Sequence, residues 1–263
     1  MNFMYIVKRN ITCLVLTGLL TVYASACKKD AAAGEEGPDI DTTTTSTDTV
    51  FYKLIRVQNF AATAIDDATN APATLYYSLE SKKEISGTYA KTRQWDIAFG
   101  GLYNSFLSGN NGANGANYGS GGSGTGGVLV LEQAFDAVTT VPGDAQFKTA
   151  ANVIGTDDAG DFGEGIGWYL YDFGGVRVRN NEYENQHVAY ALNDTLRLAN
   201  GSKINPRTVV VKTAKGNYAK IKMISCYKDL YKQSEWHRSA PHMYFTFEYV
   251  IVPAGSTRFE IKK

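Results

Sequence analysis

Three histidines, His187, His237 and His242, are the side chains of this 263-residue chain best suited to metal chemistry. His237 and His242 stand five apart across Arg238-Ser239-Ala240-Pro241, a spacing that suits a metal held on a loop. A lone pair without cysteine or an acidic cluster is a weak site, and the plain reading is two surface histidines. His187 follows the polar run Asn180 to Gln186 and opens the segment His187-Val188-Ala189-Tyr190, as a loop-edge histidine does. Asp157, Asp158, Asp161 and Glu164 fall between glycines and could offer oxygens to Ca²⁺. Their spacing is not that of an EF-hand, so a solvated turn is expected. The pattern G-x-G-x-x-G occurs from Gly119 and again from Gly122. A dinucleotide fingerprint must open a helix, whose N-terminus holds the pyrophosphate, whereas Val128-Leu129-Val130-Leu131 follows here. No G-x-S-x-G elbow, H-E-x-x-H pair or double C-x-x-C occurs, and the chain reads as a binder rather than an enzyme.

The elements that must position these groups are strands. Thr208 to Thr213 is a β-branched run, and Ala214-Lys215-Gly216-Asn217 supplies a turn in which Gly216 is free to take positive φ. Tyr218 to Tyr227 then alternates, with Ala219, Ile221 and Met223 on a buried face and Lys220 and Lys222 on a wet one. Gln94 to Phe99 and Met243 to Val252 are built to pair or pack with this hairpin. Further strands are expected over Val50–Asn59, Ala71–Leu79, Val128–Leu131, Trp168–Phe173, His187–Tyr190 and Thr257–Ile261, with Leu129 to Phe135 leading into a short packed connection. Lys82-Lys83-Glu84 reads as a solvated loop. Gly100 to Gly127, dominated by Gly, Asn and Ser, reads as a long mobile surface loop. Abundant Tyr, Thr, Val and Gly favour sheet over helix. The expected fold is all-β and mainly antiparallel, with room for one short helix over Lys228 to Glu235, near Leu230.

The chain divides into three parts. Residues 1–27 form an export signal: Lys8 and Arg9, the apolar run Ile11 to Tyr23, then Ala24-Ser25-Ala26-Cys27. A cysteine at that place looks like a bacterial lipobox, with Cys27 as the lipid anchor. Residues 28–49 are an acidic and Thr-rich tether with too little apolar material to offset ordering entropy. Residues 50–263 are the β domain, long enough to bury a core without staples. The 26 basic and 26 acidic residues balance over the chain, and the exported part is slightly acidic. Nucleic acid is excluded as a partner, since it demands a concentrated basic surface. Once Cys13 is removed and Cys27 acylated, Cys226 remains alone and is expected as a small buried residue.

The Trp95-Asp96-Ile97-Ala98-Phe99 strand, the Gly/Ser-rich segment, the hairpin KTAKGNYAKIKMIS and the aromatic terminal strand carry a resemblance. Together, over roughly Val50 to Lys263, they resemble the HmuY family of heme-binding bacterial lipoproteins. The resemblance implies a mainly β lipoprotein of the outer membrane, displayed at the cell surface, that takes up heme for iron acquisition. It implies delivery of heme to a TonB-dependent receptor. Axial ligands in the family are His or Met side chains lying between the Gly-rich segment and the late hairpin. In this chain Leu129 to Arg207 holds one histidine, His187, and no methionine. His187 is therefore the candidate iron ligand, with Tyr171 and Tyr183 as candidate heme-contacting residues. Three completions stay open. A phenol of Tyr169, Tyr171 or Tyr183 ligates; His237, His242 or Met243 folds across; or His187 binds iron alone. The alternative function is a surface lipoprotein of the same fold that recognises a glycan, a peptide or another ligand.

Overall fold

A computed structural model describes residues 49–61, 71–157 and 166–262. The expected signal peptide with Cys27, nearly all of the tether, and Asp158, Asp161 and Glu164 lie outside the described residues.

The late hairpin forms as its residues dictate. Strands β11 (Thr208–Lys212) and β12 (Tyr218–Tyr227) pair antiparallel from Val209–Ile221 to Lys212–Tyr218. Gly216 takes φ 92° in the turn, a conformation that costs a β-carbon dearly. Strand β13 (His242–Val252) adds to the other edge of β12, and β1 (Ile55–Phe60) and β6 (Gly127–Leu131) complete a five-stranded sheet in the order β1-β13-β12-β11-β6. A second sheet of four strands has the order β3-β2-β4-β5, from Lys83–Ile85, Leu75–Ser78, Ile97–Gly100 and Phe106–Gly109. Two ribbons pair β7 (Tyr169–Asp172) with β8 (Val188–Ala191) and β9 (Leu196–Arg197) with β10 (Lys203–Ile204). Every strand pair in these sheets is antiparallel.

The two larger sheets face each other through aromatic side chains. Phe99 of β4 lies 4.5 Å, centroid to centroid, from Phe245 of β13. Tyr77 of β2 meets Phe247 edge-on at 5.6 Å, and Phe60 closes on both Tyr77 and Phe99. Asp96 bolts this packing together. One carboxylate oxygen accepts from the Leu79 amide at 2.8 Å, and the other accepts from the Ala214 amide in the hairpin turn at 3.1 Å.

Four local expectations are corrected. Lys220 does not face water: its Nζ donates to the Phe135 and Val138 carbonyls at 2.7 and 3.0 Å. A second apolar cluster, which includes Phe135, Phe147, Val210, Val250 and Phe259, covers that face of the sheet. Lys83 and Glu84 belong to edge strand β3, which exposes both and buries Ile85. Thr257–Ile261 is not a strand; Phe259 plugs the second cluster and its amide donates to Thr139 O. Near Leu230 the only helical turn is the short 3₁₀ segment Gln233–Glu235.

The glycine-rich segment is the largest correction. It contains β5 and a turn system laced by asparagines. Asn110 is 1% exposed and donates to Thr92 O and Trp95 O. Asn117 donates to Gly109 O and Thr149 O while accepting from the amides of Asn111 and Gly119. Gly109 and Gly127 touch so closely that a β-carbon on Gly109 would lie 2.5 Å from the Gly127 Cα. The small residues thus permit backbone-to-backbone packing, and amide side chains replace the ladder bonds that an irregular path gives up.

Candidate functional site

β12 and β13 pair regularly from Tyr218–Val252 to Met223–Phe247 and then slip register twice before ending at Tyr227–His242. Such irregularities bend and re-aim strand ends. A cavity of about 580 Å³ lies at this irregular end of the pair. Its floor carries Cys226 and Tyr227 from β12. One wall is β7, through Tyr169 and Tyr171, with Phe173 beyond it and Ala189 of β8 alongside. Another is the segment after β4, with Leu102, Tyr103 and Phe106. Residues 238–243 form the last side, bringing Arg238, His242 and Met243.

The floor is buried and tightly packed. Trp236, 1% exposed, stacks on the Tyr227 ring at 5.8 Å, and its indole N–H donates to Leu230 O. The Tyr227 hydroxyl accepts from the Ala189 amide at 2.9 Å, fastening ribbon β7–β8 to β12. Tyr169 donates to Ser105 Oγ at 3.1 Å. Burial pushes the Cys226 thiol and the Tyr171 phenol up to about 12, and raises Tyr169 and Tyr227 further. All four are neutral at physiological pH.

His187 stands at the cavity mouth, one residue before β8. Its Nδ1 is 2.8 Å from the Tyr171 hydroxyl, and its ring meets Phe173 edge-on at 4.5 Å. Burial, and then the positive charge of Arg238, hold its pKa below the usual histidine value. The ring is accordingly a neutral imidazole, the form that ligates metals. His242 Nδ1 lies 2.9 Å from Ala240 O. A carbonyl can only accept, so Nδ1 carries the proton and the neutral ring's lone pair sits on Nε2.

Backbone strain concentrates here. Leaving aside Asn and Asp, positive φ among the described non-glycine residues occurs at Tyr52, Lys82, Tyr103, His187 and Met243. Three of those five, Tyr103, His187 and Met243, line the cavity. Left-handed backbone at bulky residues is held only where the surroundings over-determine it, and such positions gather at functional sites.

Two loops that meet at the mouth are clasped together. Arg179 donates to Trp236 O at 2.8 Å and Gln233 O at 2.6 Å. The Glu184 carboxylate accepts from Ser239 N and Oγ at 3.1 and 2.7 Å and lies 3.3 Å from His237 Nδ1. Those hydrogen bonds lower its pKa.

The structure therefore brings His187 and Tyr171 into direct contact and places Tyr183 on the rim, 65% exposed. Tyr169, His242 and Met243 join the lining; His237 does not, pairing with Glu184 on the outer surface. Asp157, the described member of the acidic group, accepts from Gly167 N and pairs with Arg207. Among the described residues no three His, Cys, Asp or Glu side chains form a metal-binding group. Sequence reasoning did not single out Tyr103, Tyr227 or Arg238 as lining; nothing in their local pattern distinguishes them from other aromatics and cations.

The family model described as "HmuY protein" matches residues 70–249, from just ahead of β2 into β13. A crystal structure of a Tannerella forsythia apo HmuY analog is 16% identical, with a TM-score of 0.32, covering 76% of this chain and 97% of that chain. A Bacteroides fragilis NCTC 9343 protein described as a lipoprotein is 14% identical, with a TM-score of 0.33, covering 77% and 91%. No curated protein matches the chain. The family model covers well over half of the sequence and almost every strand described above, and the chain belongs to the HmuY family.

Proposed function

We propose that this protein captures heme in the cavity at the Tyr227–His242 end of β12 and β13. It would do so as a lipoprotein anchored through Cys27 at the outer-membrane surface, and pass the heme to a TonB-dependent receptor. The observation that carries the proposal is the convergence of His187, His242 and Met243 on one aromatic-walled cavity. The donor set suits the group. Imidazole and thioether ligate heme iron, while Phe106, Phe173 and the tyrosines supply faces for a porphyrin. Only one histidine lies between the Gly-rich segment and the hairpin, and the partner ligand would come from β13, through His242 or Met243. Tyr171, whose phenol is kept protonated by burial, would serve as the group that orients His187 rather than as a phenolate ligand. A cavity of about 580 Å³ is in the range of small-molecule sites, roughly 300–1,000 Å³. The lipobox-like Ala24-Ser25-Ala26-Cys27 and the polar tether after it support the anchor. Binding rather than catalysis fits a lining whose one thiol, Cys226, is held protonated and 1% exposed.

The test is a hemin titration followed by absorbance, with His187→Ala and His242→Ala beside the wild type. A saturable Soret band, shifted or lost in either variant, is the expected result. Unsaturable absorbance that is the same in all three proteins would refute heme capture at this cavity.

A further inference from the structure

Arg238 is the one lysine or arginine in the cavity lining, and no aspartate or glutamate lines it, among the described residues. Its guanidinium lies over the Tyr183 ring, 4.3 Å from the centroid. A neighbouring acid is at hand but is engaged elsewhere: the Glu184 carboxylate is taken by Ser239 N, Ser239 Oγ and His237. Glu184 reaches Arg238 only through the backbone, its carbonyl accepting from the Arg238 amide at 2.8 Å. The main chain of Arg238 is thus fixed by the clasp while its charge is left to the cavity mouth and to the face of an exposed tyrosine. A cation at the mouth of an aromatic cavity that no acidic side chain lines favours a ligand that brings its own negative charge.

From this, and resting on the heme proposal above, we infer that Arg238 is a specificity-determining residue: it anchors a carboxylate of the bound ligand at the cavity mouth. The site would then select porphyrins carrying free carboxylates and orient them with those groups toward Arg238. Arginine suits the role because its planar fork can meet a carboxylate with two parallel N–H donors while still stacking on an aromatic ring.

The test crosses protein charge with ligand charge. Hemin and hemin dimethyl ester are titrated into the wild type, Arg238→Gln and Arg238→Lys, each at low and high salt. A charge-assisted contact at a half-exposed site predicts roughly 10-fold weaker hemin binding by Arg238→Gln. Ester binding should be equal in the two proteins, and Arg238→Lys should fall between. The wild-type preference for hemin over its ester should shrink as salt rises. Equal losses for hemin and ester in Arg238→Gln would overturn the inference, since that pattern marks loop packing rather than carboxylate recognition. So would unchanged affinity for both. Absence of any saturable hemin binding by the wild type would instead remove the heme proposal, and this inference with it.

Discussion

Asp96 offers the sharpest test of how the two sheets are joined. It is 2% exposed, and its two oxygens accept amides from opposite sides of the interface, Leu79 and Ala214. Burial, and then the negative charge of Glu80, raise its pKa from 3.8 to about 6, against the opposing pull of the backbone N–H donors. The sign follows directly. The folded protein holds this proton more tightly than the unfolded chain, so the stabilising contribution is complete below about pH 4. It is lost as pH rises from about 4 through about 6. At roughly 1.36 kcal/mol per tenfold difference in proton affinity, the rise from 3.8 to about 6 corresponds to about 3 kcal/mol. Asp96→Asn keeps the shape, removes the titration and turns one acceptor into a donor facing an N–H. That mismatch costs about 1–3 kcal/mol at any pH. Urea unfolding, followed by fluorescence of the buried Trp95, Trp168 and Trp236, compares wild type and variant at pH 4 and pH 8. The variant should be clearly less stable at pH 4 and close to the wild type at pH 8, the difference between the two gaps being about 3 kcal/mol. All other titrating groups cancel in that comparison. A gap that is independent of pH, or that widens toward pH 8, would refute the reasoning and show that the amide bonds outweigh desolvation.

Gly109→Ala should cost about 1–3 kcal/mol in the same assay, because the new β-carbon would meet the Gly127 backbone at 2.5 Å and neither strand can yield cheaply. Phe99→Ala removes a fully buried ring from between Phe60, Phe245 and Phe247 and should cost about 3–5 kcal/mol, with little change in the denaturant dependence. Tyr171→Phe leaves the cavity wall intact but removes the hydroxyl 2.8 Å from His187 Nδ1; hemin affinity should fall roughly 10-fold with unfolding stability nearly unchanged. Lys220→Ala strips a charged donor from two carbonyls and should destabilise by about 1–3 kcal/mol, whereas exposed Lys83→Ala should be nearly silent.

Strands were legible wherever side-chain periodicity and turn chemistry act locally. The β12 range, Tyr218–Tyr227, and the turn at Gly216 follow from alternation and from the conformational freedom of glycine, as does nearly all of β13. The burial of Met223 follows from the same alternation, whereas Cys226, which shares the parity of Lys220 and Lys222, was expected to be buried from its residue type alone. Alternation could not tell that Lys220 is covered, because what covers it is a distant segment, Phe135 to Val138. Nor could composition distinguish a loose glycine loop from the asparagine-bonded turns of residues 100–127, since the partners of Asn110 and Asn117 come from residues 92–95 and 149.

The candidate site divides along the same line. His187 and Tyr171 stand at one ribbon, sixteen residues apart, and it was the resemblance to the HmuY family, not their local pattern, that singled them out. That His242 and Met243 share their cavity goes with two register slips in the β12–β13 pairing, a feature of the paired strands and not of either strand alone. The sequence determined an antiparallel β protein with an aromatic core and a single histidine in its middle section, because pattern and propensity act over a few residues. The tertiary structure decided which side chains meet, because a cavity is made by segments some 140 residues apart, from Leu102 to Met243, whose meeting only the closed fold enforces.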